Sequence, residues 1–135
     1  MSADATDPPA AAAAGQQPIY VVDDDPSVRE SMGILLDALG FTVITYGSAA
    51  ELLADASRVD ARCVIVDHHM PGMSGLDMLS ALRREGSTVS AILVTGRLDV
   101  GIAARAAELG VCAVLEKPFC VKRLVAAVHQ SQDRR

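Results

Sequence analysis

IYVVDDDPSVRESMGILLDALG, residues 19–40, carries the pattern from which the rest of the chain is read. Ile19 to Val22 is a short apolar run, partly β-branched, that stops at three successive carboxylates, as a strand buried on both faces of a sheet does. Beyond it, Val28, Met32, Leu35, Leu36 and Leu39 fall at offsets 0, 4, 7, 8 and 11, which places all five on one helical stripe facing the sheet. Asp25 supplies an N-cap, Pro26 suits the first turn, and Gly40 sits just past the end. A strand followed by an amphipathic helix makes one βα unit.

The unit recurs. Thr42 to Tyr46, Cys63 to Val66, Ala91 to Val94 and Ala113 to Leu115 read as four more strands. Ser48-Ala49-Ala50-Glu51 opens the second helix, with Ser and Glu side chains able to satisfy free N–H groups of the first turn. The third helix spans Gly75 to Glu85 behind Ser74, with Leu76, Leu79 and Leu82 inward and Gly86 at its end. The fourth, Val100 to Leu109, is alanine-rich and therefore buries little area, and the fifth spans Val121 to Gln130.

Five such pairs predict an α/β fold: a flavodoxin-like (βα)5 three-layer sandwich with parallel strand order 2-1-3-4-5. Right-handed crossovers put helices on both faces, and the order reverses beside strands 1 and 3, opening a crevice at their carboxyl ends. The domain is expected over residues 18–130. Residues 1–17, rich in Ala, Pro, Asp and Gln, are expected to be a disordered tail, and 131–135 a C-terminal tail. That division leaves no residues for an output domain.

A composition of 50% hydrophobic and 21% charged residues is that of a globular protein. A net charge of −5 argues against gripping a nucleic-acid backbone. No apolar run approaches the roughly 18 residues that span a bilayer. The first basic residue is Arg29, which argues against a secretory signal, so a cytoplasmic location is expected. Cys63, Cys112 and Cys120 lack the paired spacing of a zinc site and are read as small apolar fillers.

Four strands deliver polar groups to one edge: Asp23 and Asp24 after strand 1, Asp67 after strand 3, Thr95 after strand 4 and Lys117 beyond strand 5. Each alone has a structural explanation, since acidic residues suit the start of a helix and threonine is common in strands. Together, three converging carboxylates repel by about 1 to 4 kcal/mol per close pair, a cost that a bound cation removes. An oxygen-only donor set suits Mg2+, which commonly bridges carboxylate and phosphate.

The segments Ile19-Tyr20-Val21-Val22-Asp23-Asp24-Asp25, Val64 to Gly75, Leu93-Val94-Thr95-Gly96 and Glu116-Lys117-Pro118-Phe119 resemble the signatures of response regulator receiver domains, the CheY-like superfamily, most closely its FixJ-type members. The resemblance runs over nearly all of residues 18–130. It implies a phosphoacceptor signalling domain rather than an enzyme, able to phosphorylate and dephosphorylate itself with Mg2+. By resemblance, Asp67 takes a phosphoryl group from a sensor histidine kinase, and Asp24 and Asp67 bind Mg2+ directly. Asp23 acts through a metal-bound water, and His69 contributes its backbone carbonyl to the metal. Thr95 and Lys117 complete the phosphoryl site. The same resemblance implies that Lys117-Pro118 is cis and that the side chains of His69 and Arg97 flank the phosphoryl oxygens.

Where the family carries an aromatic switch three residues before the lysine, this chain has Val114. Signalling is therefore expected through the loop after strand 4 and through helix 4. Further expected partners are another regulator or a second copy, met through helix 4, strand 5 and helix 5. The rival reading is a phosphorylation-independent interaction module. A haloacid-dehalogenase-type phosphatase would place an aspartate where His69 stands, and a flavin carrier would have a Ser/Thr-rich loop after strand 1.

Overall fold

A computed structural model describes residues 17–133. Of the tail expected at residues 1–17, residues 1–16 lie outside the described residues. The elements are β1 (Ile19–Val22), α1 (Pro26–Ala38), β2 (Val43–Tyr46), α2 (Ala49–Ala54), β3 (Cys63–Asp67), α3 (Gly75–Arg84), β4 (Ser90–Thr95), α4 (Val100–Glu108), β5 (Ala113–Glu116) and α5 (Val121–Asp133). The five strands form one parallel sheet of order β2-β1-β3-β4-β5, the predicted topology.

Alternation along the strands builds two cores. Tyr20, Val22, Val64, Val66, Ala91 and Leu93 meet Leu52, Leu76, Leu79, Leu82 and Ala106 from α2, α3 and α4. On the other face Ile19, Val21, Ile65, Ile92, Val94 and Leu115 meet Met32 and Leu36 of α1 and Leu124, Ala127 and Val128 of α5. Both faces of the central strands are covered, which is why those strands read as continuous apolar runs.

Helix starts follow the side chains expected to cap them. Asp25 accepts from the Ser27 N–H, Ser48 from Glu51 and Ser74 from Asp77, and Asp99 caps α4 by accepting from Ile102. Glu51 Oε1 turns back onto the Gly47 N–H at 3.0 Å, one residue ahead of the cap.

Three expectations are corrected. Leu39 is 48% exposed and forms the C-cap of α1 rather than part of its buried stripe, because the chain leaves helical geometry before Gly40, whose φ is +94°. The helix expected to stop at Gln130 continues to Asp133. Ser131 is fully buried there, its hydroxyl donating to the Val128 carbonyl and its own carbonyl accepting from Ser90 Oγ at 3.1 Å, while residues 134–135 of the expected C-terminal tail lie outside the described residues. Cys63 is a buried filler, but Cys112 is half-buried and Cys120 is exposed at the start of α5.

Helix α4 is thinly anchored, with Ala106 its one fully buried residue. Side-chain ties to α3 compensate, one of them Arg105 Nη2 on Asp77 Oδ1 at 2.7 Å. Arg83 Nε donates to the Leu109 carbonyl just beyond α4 at 2.9 Å, and its Nη1 donates to the carbonyls of Ser87 and Val89 ahead of β4. No helix among the described residues is long and apolar enough to cross a membrane.

Candidate functional site

Register brings the strand-end residues level. Val22 pairs with Val66 across β1 and β3, so Asp23 and Asp67, the next residues, emerge side by side at the carboxyl edge. Asp67 pairs with Val94, which sets Thr95 one step further along β4, and the Lys117 N–H donates to the Thr95 carbonyl at 2.8 Å. All five residues singled out in the sequence thus lie at the carboxyl edge of the sheet.

Asp23, Asp24 and Asp67 each offer a carboxylate oxygen within 4.8 Å of the others. Asp23 and Asp67 are buried while Asp24 is exposed, so the cluster opens to solvent on one side. Lys117 Nζ stands 3.5 Å from Asp67 Oδ2. Asp23 Oδ1 accepts the Asp25 N–H at 2.9 Å, and Arg29 Nη1 donates to the Asp23 carbonyl at 2.6 Å, fixing the start of the β1–α1 loop.

Burial pushes the Asp23 pKa up, and the negative charges of Asp67 and Asp24 push it further; the Asp25 N–H and the Lys117 ammonium act in the opposite direction. A carboxyl with a raised folded-state pKa holds its proton more tightly folded than unfolded. Stability therefore falls as pH rises from about 4 through the raised value. With metal removed by chelator, Asp23→Asn is expected to be more stable than the wild type at pH 7, and the advantage is expected to vanish near pH 4. Urea unfolding at the two pH values checks this, and an advantage independent of pH would contradict it.

The sequence reading did not give Gly75 its tightest role. A Cβ there would lie 2.6 Å from the Asp67 carbonyl oxygen, and the Gly75 N–H donates to the His68 carbonyl, so α3 begins directly against the backbone of Asp67. Nor did it assign Glu116, whose Oε2 accepts the Leu98 N–H at 3.2 Å and ties the β4–α4 loop to the end of β5. Both lie inside the motif segments, but no pattern in the sequence pointed to these contacts.

His69 is exposed, and its imidazole reaches over the fully buried Thr95, with Nε2 3.0 Å from Oγ1. Its own N–H donates to Asp67 Oδ1 at 3.2 Å. Arg97 is exposed, and its backbone rather than its side chain meets Thr95. Burial, with His69 and Arg105 as neighbours, lowers the His68 pKa. Val114 is half-buried, against the same core as Ile102 and Leu109. The Lys117-Pro118 bond is cis, as the resemblance implied.

The sequence profile of the family described as response regulator receiver domain matches residues 19–129. The chain belongs to this family. As a receiver domain it is 41% identical over 117 residues to the transcriptional regulatory protein FixJ of Azorhizobium caulinodans, covering 87% of this chain and 56% of that protein. It is 36% identical to the C4-dicarboxylate transport transcriptional regulatory protein DctD of Rhizobium meliloti, covering 87% of this chain and 25% of that one. The chain spans about half the length of the FixJ relatives it matches. Among solved structures, the crystal structure of FixJ-N superposes with a TM-score of 0.80 at 31% identity, covering 89% of this chain and 96% of that one. Vibrio cholerae CheY4, at 24% identity and TM-score 0.79, covers 86% of this chain and 98% of that chain and shares the fold. Receiver domains are the response modules of two-component systems and use Mg2+ at an acidic pocket, and the Asp23, Asp24 and Asp67 cluster of this receiver domain fits that use.

Proposed function

We propose that this receiver domain accepts a phosphoryl group on Asp67 and signals through the protein contacts that follow. The observation carrying this reading is the convergence of three carboxylates within 4.8 Å of one another, with the Lys117 ammonium 3.5 Å from the Asp67 carboxylate. An Asp67 oxygen forms the new bond to phosphorus. The bond from phosphorus to the leaving group breaks, and its electron pair leaves with the imidazole of a kinase phosphohistidine or with the acetate of acetyl phosphate. Attack of water on phosphorus then forms a new O–P bond and breaks that to Asp67, whose carboxylate leaves with the electron pair, giving inorganic phosphate and self-dephosphorylation.

Asp23, Asp24 and Asp67, with the backbone carbonyl of His69 as a further donor, are an oxygen set suited to Mg2+. When bound, the ion supplies positive charge that the transferring group needs. Lys117 offsets charge building on the phosphoryl oxygens, and the Thr95 hydroxyl donates to one of them, since phosphoryl transfer depends mainly on positioning and charge. The phosphoryl group adds about −1.5 to −2 charge units, which biases the β4–α4 loop toward a second arrangement.

The donor is a sensor histidine kinase, which places the reaction in the cytoplasm. The receiving partner, another regulator or a second copy, docks on α4, β5 and α5, where Val100 and Val121 are exposed. Incubation with acetyl phosphate and Mg2+ is expected to add the mass of one phosphoryl group, and chelating the metal is expected to prevent it. An unchanged mass with Mg2+ present would overturn the reading in favour of a phosphorylation-independent interaction module.

A further inference from the structure

The Thr95 hydroxyl has one hydrogen and two lone pairs, and three partners surround it in this structure. It donates to the Arg97 carbonyl at 3.1 Å and accepts the Arg97 N–H at 3.2 Å. His69 Nε2, 3.0 Å away, faces the second lone pair and fills it in the tautomer that carries its hydrogen on Nε2. A phosphoryl oxygen on Asp67 is an acceptor, so Thr95 can serve it only by withdrawing its hydrogen from Arg97 and turning. The imidazole holds the hydroxyl against that turn.

His69 is well placed to do so. Its N–H is anchored on Asp67 Oδ1, and its ring rests edge-on against His68 with centroids 5.0 Å apart. Thr95 beneath it is fully buried, although it is the hydroxyl that must meet the incoming group.

We infer that His69 is a positioning residue that withholds the Thr95 hydroxyl until Asp67 is phosphorylated, so that the His69–Thr95 hydrogen bond sets the threshold for phosphoryl uptake. The inference rests on the phosphoacceptor reading of Asp67 and adds a control to it. On uptake, the Thr95 O–H turns from the Arg97 carbonyl to a phosphoryl oxygen, and the hydrogen bond that Thr95 shares with His69 breaks. The Arg97 carbonyl loses its donor at that moment, which frees the β4–α4 loop. This route to the loop requires no ring at position 114, where the chain has valine.

The test compares His69→Leu, which removes the donor, with His69→Gln, whose side-chain amide N–H can replace Nε2–H. His69→Leu is expected to speed phosphoryl uptake from acetyl phosphate about two- to tenfold, the factor equivalent to the net worth of one hydrogen bond. His69→Gln is expected to restore the wild-type rate. In a Thr95→Val background the His69→Leu acceleration is expected to disappear. Unphosphorylated, metal-free protein gives an independent readout: hydrogen exchange of the Arg97 amide is expected to quicken in His69→Leu and stay at the wild-type rate in His69→Gln.

An unchanged Arg97 exchange rate in His69→Leu would overturn the inference, as would an acceleration that survives Thr95→Val. If the wild type takes up no phosphoryl group at all, the phosphoacceptor reading fails, and with it the threshold. The Arg97 exchange comparison then still shows whether His69 holds Thr95, which keeps the two failures apart.

Discussion

Asp67→Asn is expected to take up no phosphoryl group and, with metal chelated, to unfold at a higher temperature than the wild-type chain. The first effect follows because an amide oxygen has neither the charge nor the nucleophilicity of a carboxylate. The second follows from the electrostatics of the crevice. Asparagine keeps the shape of aspartate and an oxygen for the His69 N–H, which Asp67 Oδ1 now accepts at 3.2 Å. It removes one of three mutually close negative charges, each close pair of which costs about 1 to 4 kcal/mol. What is lost is the pairing with Lys117, a 3.5 Å contact whose lysine side chain is 37% exposed and so is worth little.

The balance favours the variant by about 1 kcal/mol or more, equivalent to a rise of roughly 4 °C in Tm for a domain of this size. Saturating Mg2+ is expected to reverse the order, since an ion that binds only the folded wild type stabilises it by mass action. Melting curves with and without chelator, beside the mass of the acetyl phosphate-treated protein, check all three statements. A variant that melts lower in chelator would show that the carboxylates are not in mutual repulsion.

Gly75→Ala is expected to cost about 3 kcal/mol, the upper end for overpacking a site that cannot give way. The added carbon would sit 2.6 Å from the Asp67 carbonyl oxygen and 3.1 Å from both the Asp67 carbonyl carbon and His68 Cα. All three are backbone, so no rotamer change relieves the contact. Either α3 retreats from β3, opening Leu76 and Leu79 to solvent, or the end of β3 moves and Asp67 leaves the cluster. Urea unfolding reports the loss as a lower midpoint, and weaker Mg2+ binding reports the displacement. Gly33→Ala is the matched control: nothing lies within 4 Å of a Cβ there, inside α1, and a gain of about 0.5 to 1 kcal/mol is expected from the helix interior alone. Equal midpoints for the two variants would refute the steric argument.

What sequence could reveal was whatever depends on neighbours along the chain. Strand and helix periods, the caps at Asp25, Ser48 and Ser74, and the acidic residues closing β1 and β3 are local patterns, and from them both topology and crevice followed. What escaped involves partners far apart. Ser131 extends α5 because its carbonyl meets Ser90, 41 residues earlier, and nothing polar beyond Gln130 advertised burial. The His69 contact with Thr95 spans 26 residues and depends on one rotamer over another strand. Gly75 reads as a helix start, and its need for a bare α-carbon exists only once α3 lies against Asp67. Leu39 matched the helical stripe, but a pattern of offsets does not say where the last turn ends.

The Arg83 guanidinium gives α4 a fulcrum. It clasps the carbonyl of Leu109 at the far end of the helix while holding Ser87 and Val89, so that end is moored to α3 and to the approach to β4. The other end hangs from the loop that Thr95 and Glu116 hold. A nine-residue helix is about 14 Å long, so tilting it by roughly 10° about that fulcrum sweeps its start by about 2 Å. Leverage of that kind turns the exchange of two hydrogen bonds into a displacement large enough for a docked protein to register.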